Sequence, residues 1–128
     1  ERVLAPRAEL FGKRALRSNV AAITTRDFGA GYSAPSADGG VLSVLELACW
    51  CLASTLSFHE GALRAANLGG NSDVIGAVFG QLGGAYYGVG AIPRPWRQAL
   101  SQAELIAELA DRLLRNALVQ IGESAVAS

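Results

Sequence analysis

Gly69-Gly70-Asn71-Ser72-Asp73-Val74-Ile75-Gly76-Ala77-Val78-Phe79-Gly80-Gln81-Leu82-Gly83-Gly84-Ala85-Tyr86-Tyr87-Gly88 decides the fold reading of this 128-residue chain. Two oxygen-bearing side chains, Asn71 and Asp73, stand at the head of an uncharged run in which Gly76, Gly80, Gly84 and Gly88 recur at intervals of four. Residues i and i+4 lie one above the other on a helix. The run therefore predicts a helix from Ser72 or Asp73 to Gly88 with a stripe of glycine along one face. Glycine costs roughly 1 kcal/mol per residue in a helix interior, so the stripe, with Gly83 beside it, predicts close approach of a neighbouring backbone. A helix that is uncharged all round belongs inside a protein, and this one is expected to be central.

Outward from this run the chain reads as helices. Ser57-Phe58-His59-Glu60 fits a capping box, with serine at the N-cap and glutamate three residues on, and it opens a short helix to about Asn67 that Gly69-Gly70 ends. His59, at the second position of that box, reads as a solvent-facing helix residue. Upstream, Val41 to Leu56 is an apolar helix whose single charge is Glu46. Thr24 to Gly40 holds four glycines, Pro35 and two serines, and reads as an irregular loop. Pro6 starts a first helix, with Leu10, Phe11, Ala15 and Leu16 as its apolar stripe and Ser18-Asn19 as its stop. Downstream, Ile92-Pro93-Arg94-Pro95-Trp96 interrupts the pattern, and Pro95 begins a short helix through Leu100. A second capping box, Ser101-Gln102-Ala103-Glu104, opens a final amphipathic helix through Leu105, Leu109 and Leu113, widened by Ile106, Leu114 and Leu118. Strand-like alternation is scarce, so the fold class is all-α. Tyr86, Tyr87 and Trp96 read as packing aromatics on these helices.

Composition narrows the function classes. Half the residues are apolar, enough for one domain with a real core, and the net charge is zero. Residues 1–27 hold six basic side chains against three acidic ones, but with few aromatics among them they read as a solvated helix face, so no nucleic-acid partner is expected. The uncharged window Val74–Ile92 is 19 residues long, near the length that crosses a bilayer. Gln81, the Tyr86-Tyr87 pair and six glycines lower its apolar content, and no membrane span is expected. No secretory pattern opens the chain. Cys49 and Cys51 point about 200° apart at roughly 100° per residue, so on one helix they neither bridge nor share a metal. Buried free thiols favour a reducing, cytoplasmic setting. Methionine is absent even from position 1, which predicts that further sequence preceded Glu1.

Asn71 and Asp73 carry the candidate chemistry, and two readings stand side by side. A helix N-terminus bears unpaired N–H groups and partial positive charge, so the pair reads as a turn residue and an N-cap. Equally, carboxylate and carboxamide oxygens are the donors that a hard cation such as Mg²⁺ takes, and the same helix end suits a phosphate.

The stretch Ala66-Asn67-Leu68-Gly69-Gly70-Asn71-Ser72-Asp73, continuing through Gly76-to-Gly88 to Ile92-Pro93 and Trp96, resembles the C-terminal part of the ADP-ribosylglycohydrolase family, which includes the dinitrogenase-reductase-activating glycohydrolases. The resemblance runs from about Gly31 to Leu114 and is densest from Asn67 to Trp96. It implies a compact all-α fold, two bound Mg²⁺ ions, and hydrolysis of the glycosidic bond that joins ADP-ribose to an arginine, serine or other acceptor. It also implies that Asn71 and Asp73 face the metals, and that the Phe28-Gly29-Ala30-Gly31-Tyr32 loop borders ADP-ribose through Gly31 and Tyr32.

The departures from the family pattern matter as much. Where the family reads Gly-Gly-Asp-x-Asp-Thr with both aspartates and the threonine on the metals, this chain has Asn71, Asp73 and Val74. A carboxamide removes one negative charge and valine offers no oxygen, so a two-ion site is expected to be weakened. The family's other ligands form an acidic-threonine cluster in its N-terminal half, together with a glutamate that acts on water; no such cluster precedes Asn71. Residues 1–128 therefore read either as a single all-α domain or as the C-terminal portion of a larger one, inactive alone and completed by an N-terminal chain or segment. The function expected is ADP-ribose glycosidic hydrolysis in the completed protein. The alternative is an inactive relative that binds ADP-ribose, or an ADP-ribosylated protein, as a regulatory module.

Overall fold

Seven residues after Arg17 form the first helix that can be described, α1 (Ser18–Thr24), and it begins where Ser18-Asn19 was expected to stop one. Asn19 turns its side-chain oxygen to the neighbouring Val20 N–H at 2.9 Å, which helps satisfy a donor at the helix start. The computed structural model describes residues 17–28, 33–36 and 40–126. The helix expected from Pro6 and the loop residues Gly31 and Tyr32 lie outside them.

The remaining elements are α2 (Val41–Ala53), α3 (Phe58–Ala66), α4 (Ser72–Tyr87), a 3-10 turn (Val89–Ala91), α5 (Arg94–Ala99) and α6 (Ala103–Val126). Among the described residues every element is helical, as the all-α reading requires. No described helix is long and apolar enough to cross a membrane. The chain divides into two compact units at Ile92 and Pro93.

In the first unit, α4 packs on both α2 and α3. The central glycine-rich helix of the sequence reading is thus found, but a different face holds it. Ile75, Phe79 and Gly83, spaced by four, are its buried residues. Phe79 is 0% exposed, and its ring lies 5.6 Å from that of Phe58 on α3. On the expected glycine stripe, a Cβ built at Gly76, Gly80 or Gly84 would meet nothing within 4 Å. The close approach occurs instead at Gly61 of α3, and it is made by side chains: a Cβ there would overlap the Phe79 ring and come within 2.9 Å of the Thr55 hydroxyl. Nor is α4 buried all round, since Val74 and Tyr86 are exposed. The scarcity of charge beyond Asp73 reflects glycine and alanine rather than full enclosure.

Capping by side chains accounts for several helix ends. The Ser57 hydroxyl accepts the Glu60 N–H at 3.2 Å, and the Glu60 carboxylate reaches back to the Leu56 N–H at 3.1 Å, a capping box displaced by one residue on its return arm. Helix α2 stops at Ala53, three residues before the expected Leu56. Ser54 and Thr55 turn their hydroxyls onto the Trp50 and Cys51 carbonyls at 2.6 and 2.7 Å, which takes up last-turn acceptors. Arg64 from α3 then donates to the Ser54 carbonyl and hydroxyl at 2.9 and 2.7 Å, and its guanidinium lies 5.2 Å from the Trp50 ring centre. A cation at a helix C-terminus is favourable to the dipole. Gly88, at φ 79°, ends α4 in a conformation that suits glycine.

Helix α2 contributes Leu47, Ala48, Cys49, Cys51 and Leu52 to the core, and both cysteines are free and buried, as the sequence indicated. Ile23 of α1 and Phe28 join Cys49 in one cluster. Arg26 pairs with Glu46 of α2, tying the segment after α1 to that helix.

The second unit holds α5, with Pro95 inside its first turn, and the long α6. The second capping box is not where it was expected. Gln102, at φ 59°, rather than Ser101, precedes the helix, and its carbonyl accepts the first α6 bond from the Ile106 N–H at 3.1 Å.

Candidate functional site

Five residues, Asn67 to Asn71, separate the end of α3 from the start of α4, and backbone chemistry sets their path. Asn67 closes α3 by donating from its side-chain amide to the Leu63 carbonyl at 2.7 Å. Gly69 and Gly70 follow with φ of 75° and 53°, two consecutive left-handed residues that side chains rarely tolerate. The chain reverses there and delivers Asn71 to the N-cap position of α4, where its carbonyl accepts the Ile75 N–H at 3.0 Å.

Asn71 holds the cap position without a side-chain cap hydrogen bond, at φ −82° and ψ 41°. Asp73, expected as the cap, instead sits inside the first turn. Both side chains are exposed, and among the described residues neither makes a hydrogen bond or ion pair. A carboxylate in the first turn is favoured by the helix dipole and by the unpaired N–H groups there. The structure thus brings both predicted ligand positions to one helix end with their oxygens unspent. Helical spacing also puts Asp73 on the side of α4 that carries Gly76, Gly80 and Gly84, away from the Ile75-Phe79-Gly83 face that anchors the helix in the core.

The donor set does not fit a two-magnesium centre by itself. Mg²⁺ demands a near-octahedral oxygen shell, and this helix end offers one carboxylate and one carboxamide, while Val74 is 46% exposed and supplies no oxygen. Among the described residues no three His, Cys, Asp or Glu side chains gather as metal ligands. His59 is exposed on α3 and belongs to no such group. Tyr87 is a packing residue, as expected, whose hydroxyl donates to the Thr55 carbonyl at 3.4 Å; Tyr86 meets it edge-on with ring centres 4.8 Å apart. The sequence reading missed that Asn71, not Asp73, takes the cap position. The signal was present in Gly69-Gly70, whose double reversal fixes where the first helical carbonyl falls.

The ADP-ribosylglycohydrolase family model matches residues 3–121, nearly the whole chain. The chain belongs to the ADP-ribosylglycohydrolase family. It is similar to the ADP-ribosylarginine hydrolase Tri1 of Serratia proteamaculans (strain 568), with 45% identity over 75 residues that make up 59% of this chain and 20% of that protein. It is also similar to the ADP-ribosylarginine hydrolase Tri1 of Pseudomonas putida (strain GB-1), at 38% identity over 79 residues, 62% of this chain and 21% of that one. The match thus spans about a fifth of the length of these relatives. No solved structure matches. The helical architecture is therefore that of a family member which aligns with only a small part of these relatives.

Proposed function

We propose that this chain supplies one wall of an ADP-ribosylglycohydrolase active site, and that the protein which includes it cleaves the bond between ADP-ribose and an arginine side chain. The observation that carries the reading is the head of α4, where Asn71 sits at the cap position without capping and Asp73 sits in the first turn without a partner among the described residues. Family membership and the similarity to two ADP-ribosylarginine hydrolases support the substrate class.

In the reaction proposed, a water oxygen bonds to the anomeric carbon of the ribose as the carbon–nitrogen bond to the guanidine breaks, and the departing guanidine takes up a proton. This chain's part is to bind and orient. Asp73 accepts hydrogen bonds from ribose hydroxyls or serves as one ligand in a metal set, and Asn71 offers both an acceptor and a donor beside it. The magnesium ions of the family enter this reading only where residues beyond those described complete the ligand set, supplied by an N-terminal segment or a complementary chain. Gly31 and Tyr32 are proposed to border the ADP-ribose, and the setting is proposed to be cytoplasmic.

A second reading has its own support. Asn71 and Val74 leave a single carboxylate at this helix end, which favours an inactive relative that binds ADP-ribose or an ADP-ribosylated protein without hydrolysing it.

One experiment separates the two. The intact gene product is incubated with an arginine-ADP-ribosylated protein and Mg²⁺, and ADP-ribose release is followed for the unaltered protein, for Asp73→Ala and for the double variant Asn71→Asp, Val74→Thr. The hydrolase reading expects release that Asp73→Ala abolishes and the double variant increases. The binding reading expects no release from the unaltered protein together with calorimetric binding of ADP-ribose. Neither release nor binding in any form would defeat both.

A further inference from the structure

We draw no further inference here: the strongest candidate, the exposed apolar face of α6 formed by Leu105, Ile106, Leu109, Leu113 and Leu114, carries nothing because nothing in the structure shows what covers it.

Discussion

Replacing Gly61 and Gly80 by alanine, one at a time, tests which glycines the packing requires. Alanine gains roughly 1 kcal/mol over glycine in a helix interior when nothing opposes the methyl group. At Gly80 nothing lies within 4 Å of the new Cβ, so Gly80→Ala is expected to stabilise the chain by about that 1 kcal/mol. At Gly61 the Cβ falls on the Phe79 ring and within 2.9 Å of the Thr55 hydroxyl. Neither neighbour yields easily, because Phe79 is 0% exposed beside Phe58, and Thr55 is bonded to the Cys51 carbonyl at 2.7 Å. Overpacking a filled core costs about 1–3 kcal/mol, and the upper end applies where two helices meet. After the propensity gain is subtracted, Gly61→Ala is expected to destabilise by about 2 kcal/mol. Urea unfolding followed by circular dichroism reads both changes. With a slope near 2 kcal/mol per M for a small protein, the midpoint falls by about 1 M for Gly61→Ala and rises by about 0.5 M for Gly80→Ala. A midpoint for Gly80→Ala that drops by as much as that for Gly61→Ala would refute the packing argument, since it would mean that the α4 stripe is in close contact after all.

Gly83→Ala, whose Cβ would stand 3.0 and 3.2 Å from Phe79 and 3.3 Å from Phe58, is expected to fall between the two variants above, and a midpoint outside that interval would count against the ring geometry. Ser57→Ala removes the acceptor of the Glu60 N–H and should cost about 1 kcal/mol in the same urea assay; a neutral result would show the capping box to be unimportant. Burial pushes the Cys49 and Cys51 thiols from 9.0 to about 11, with Glu46 adding to the effect at Cys49 and Arg64 opposing it at Cys51. Disulfide-exchange reagents at pH 8 should therefore label them only after unfolding. Because the folded state keeps protons that the unfolded thiols release, the contribution of these groups to stability is intact below pH 9.0 and declines toward about pH 11. Replacing both cysteines by alanine should remove that part of the alkaline decline, and a profile that stays unchanged would assign it elsewhere.

What was legible in the sequence was mostly local chemistry. The Ser57–Glu60 box and Gly88 announced their helix ends because caps are short-range features of residue type. The early end of α2 was hidden, since serine and threonine are compatible with a helix until their hydroxyls find the carbonyls behind them. Ser18-Asn19 was ambiguous for a related reason: residues that stop one helix also start another, and only the chain's path decides. The glycine stripe misled because spacing fixes which residues share a face but not which face meets a neighbour. On α4 that choice was made by Phe79, the largest fully buried side chain, with Gly61 and Gly83 giving way around it.

The candidate site shows the same division between type and placement, and it turns on charge. Asp73 was identifiable as a carboxylate at the head of a helix, where the dipole favours it. The state of Asn71 was not identifiable, because an asparagine before a helix ordinarily spends its oxygen on the first-turn N–H groups. Here no such bond forms, so the carboxamide is available to a ligand, yet it brings no charge. A lone exposed carboxylate beside a neutral amide suits hydrogen bonding to a sugar hydroxyl without further help, whereas holding two dications requires negative charge from elsewhere. The helix end thus offers hydrogen-bonding oxygens but not the negative charge that a two-cation centre needs. Under the proposed hydrolase reading, turnover therefore requires acidic groups beyond this helix end, whereas the proposed binding reading requires none.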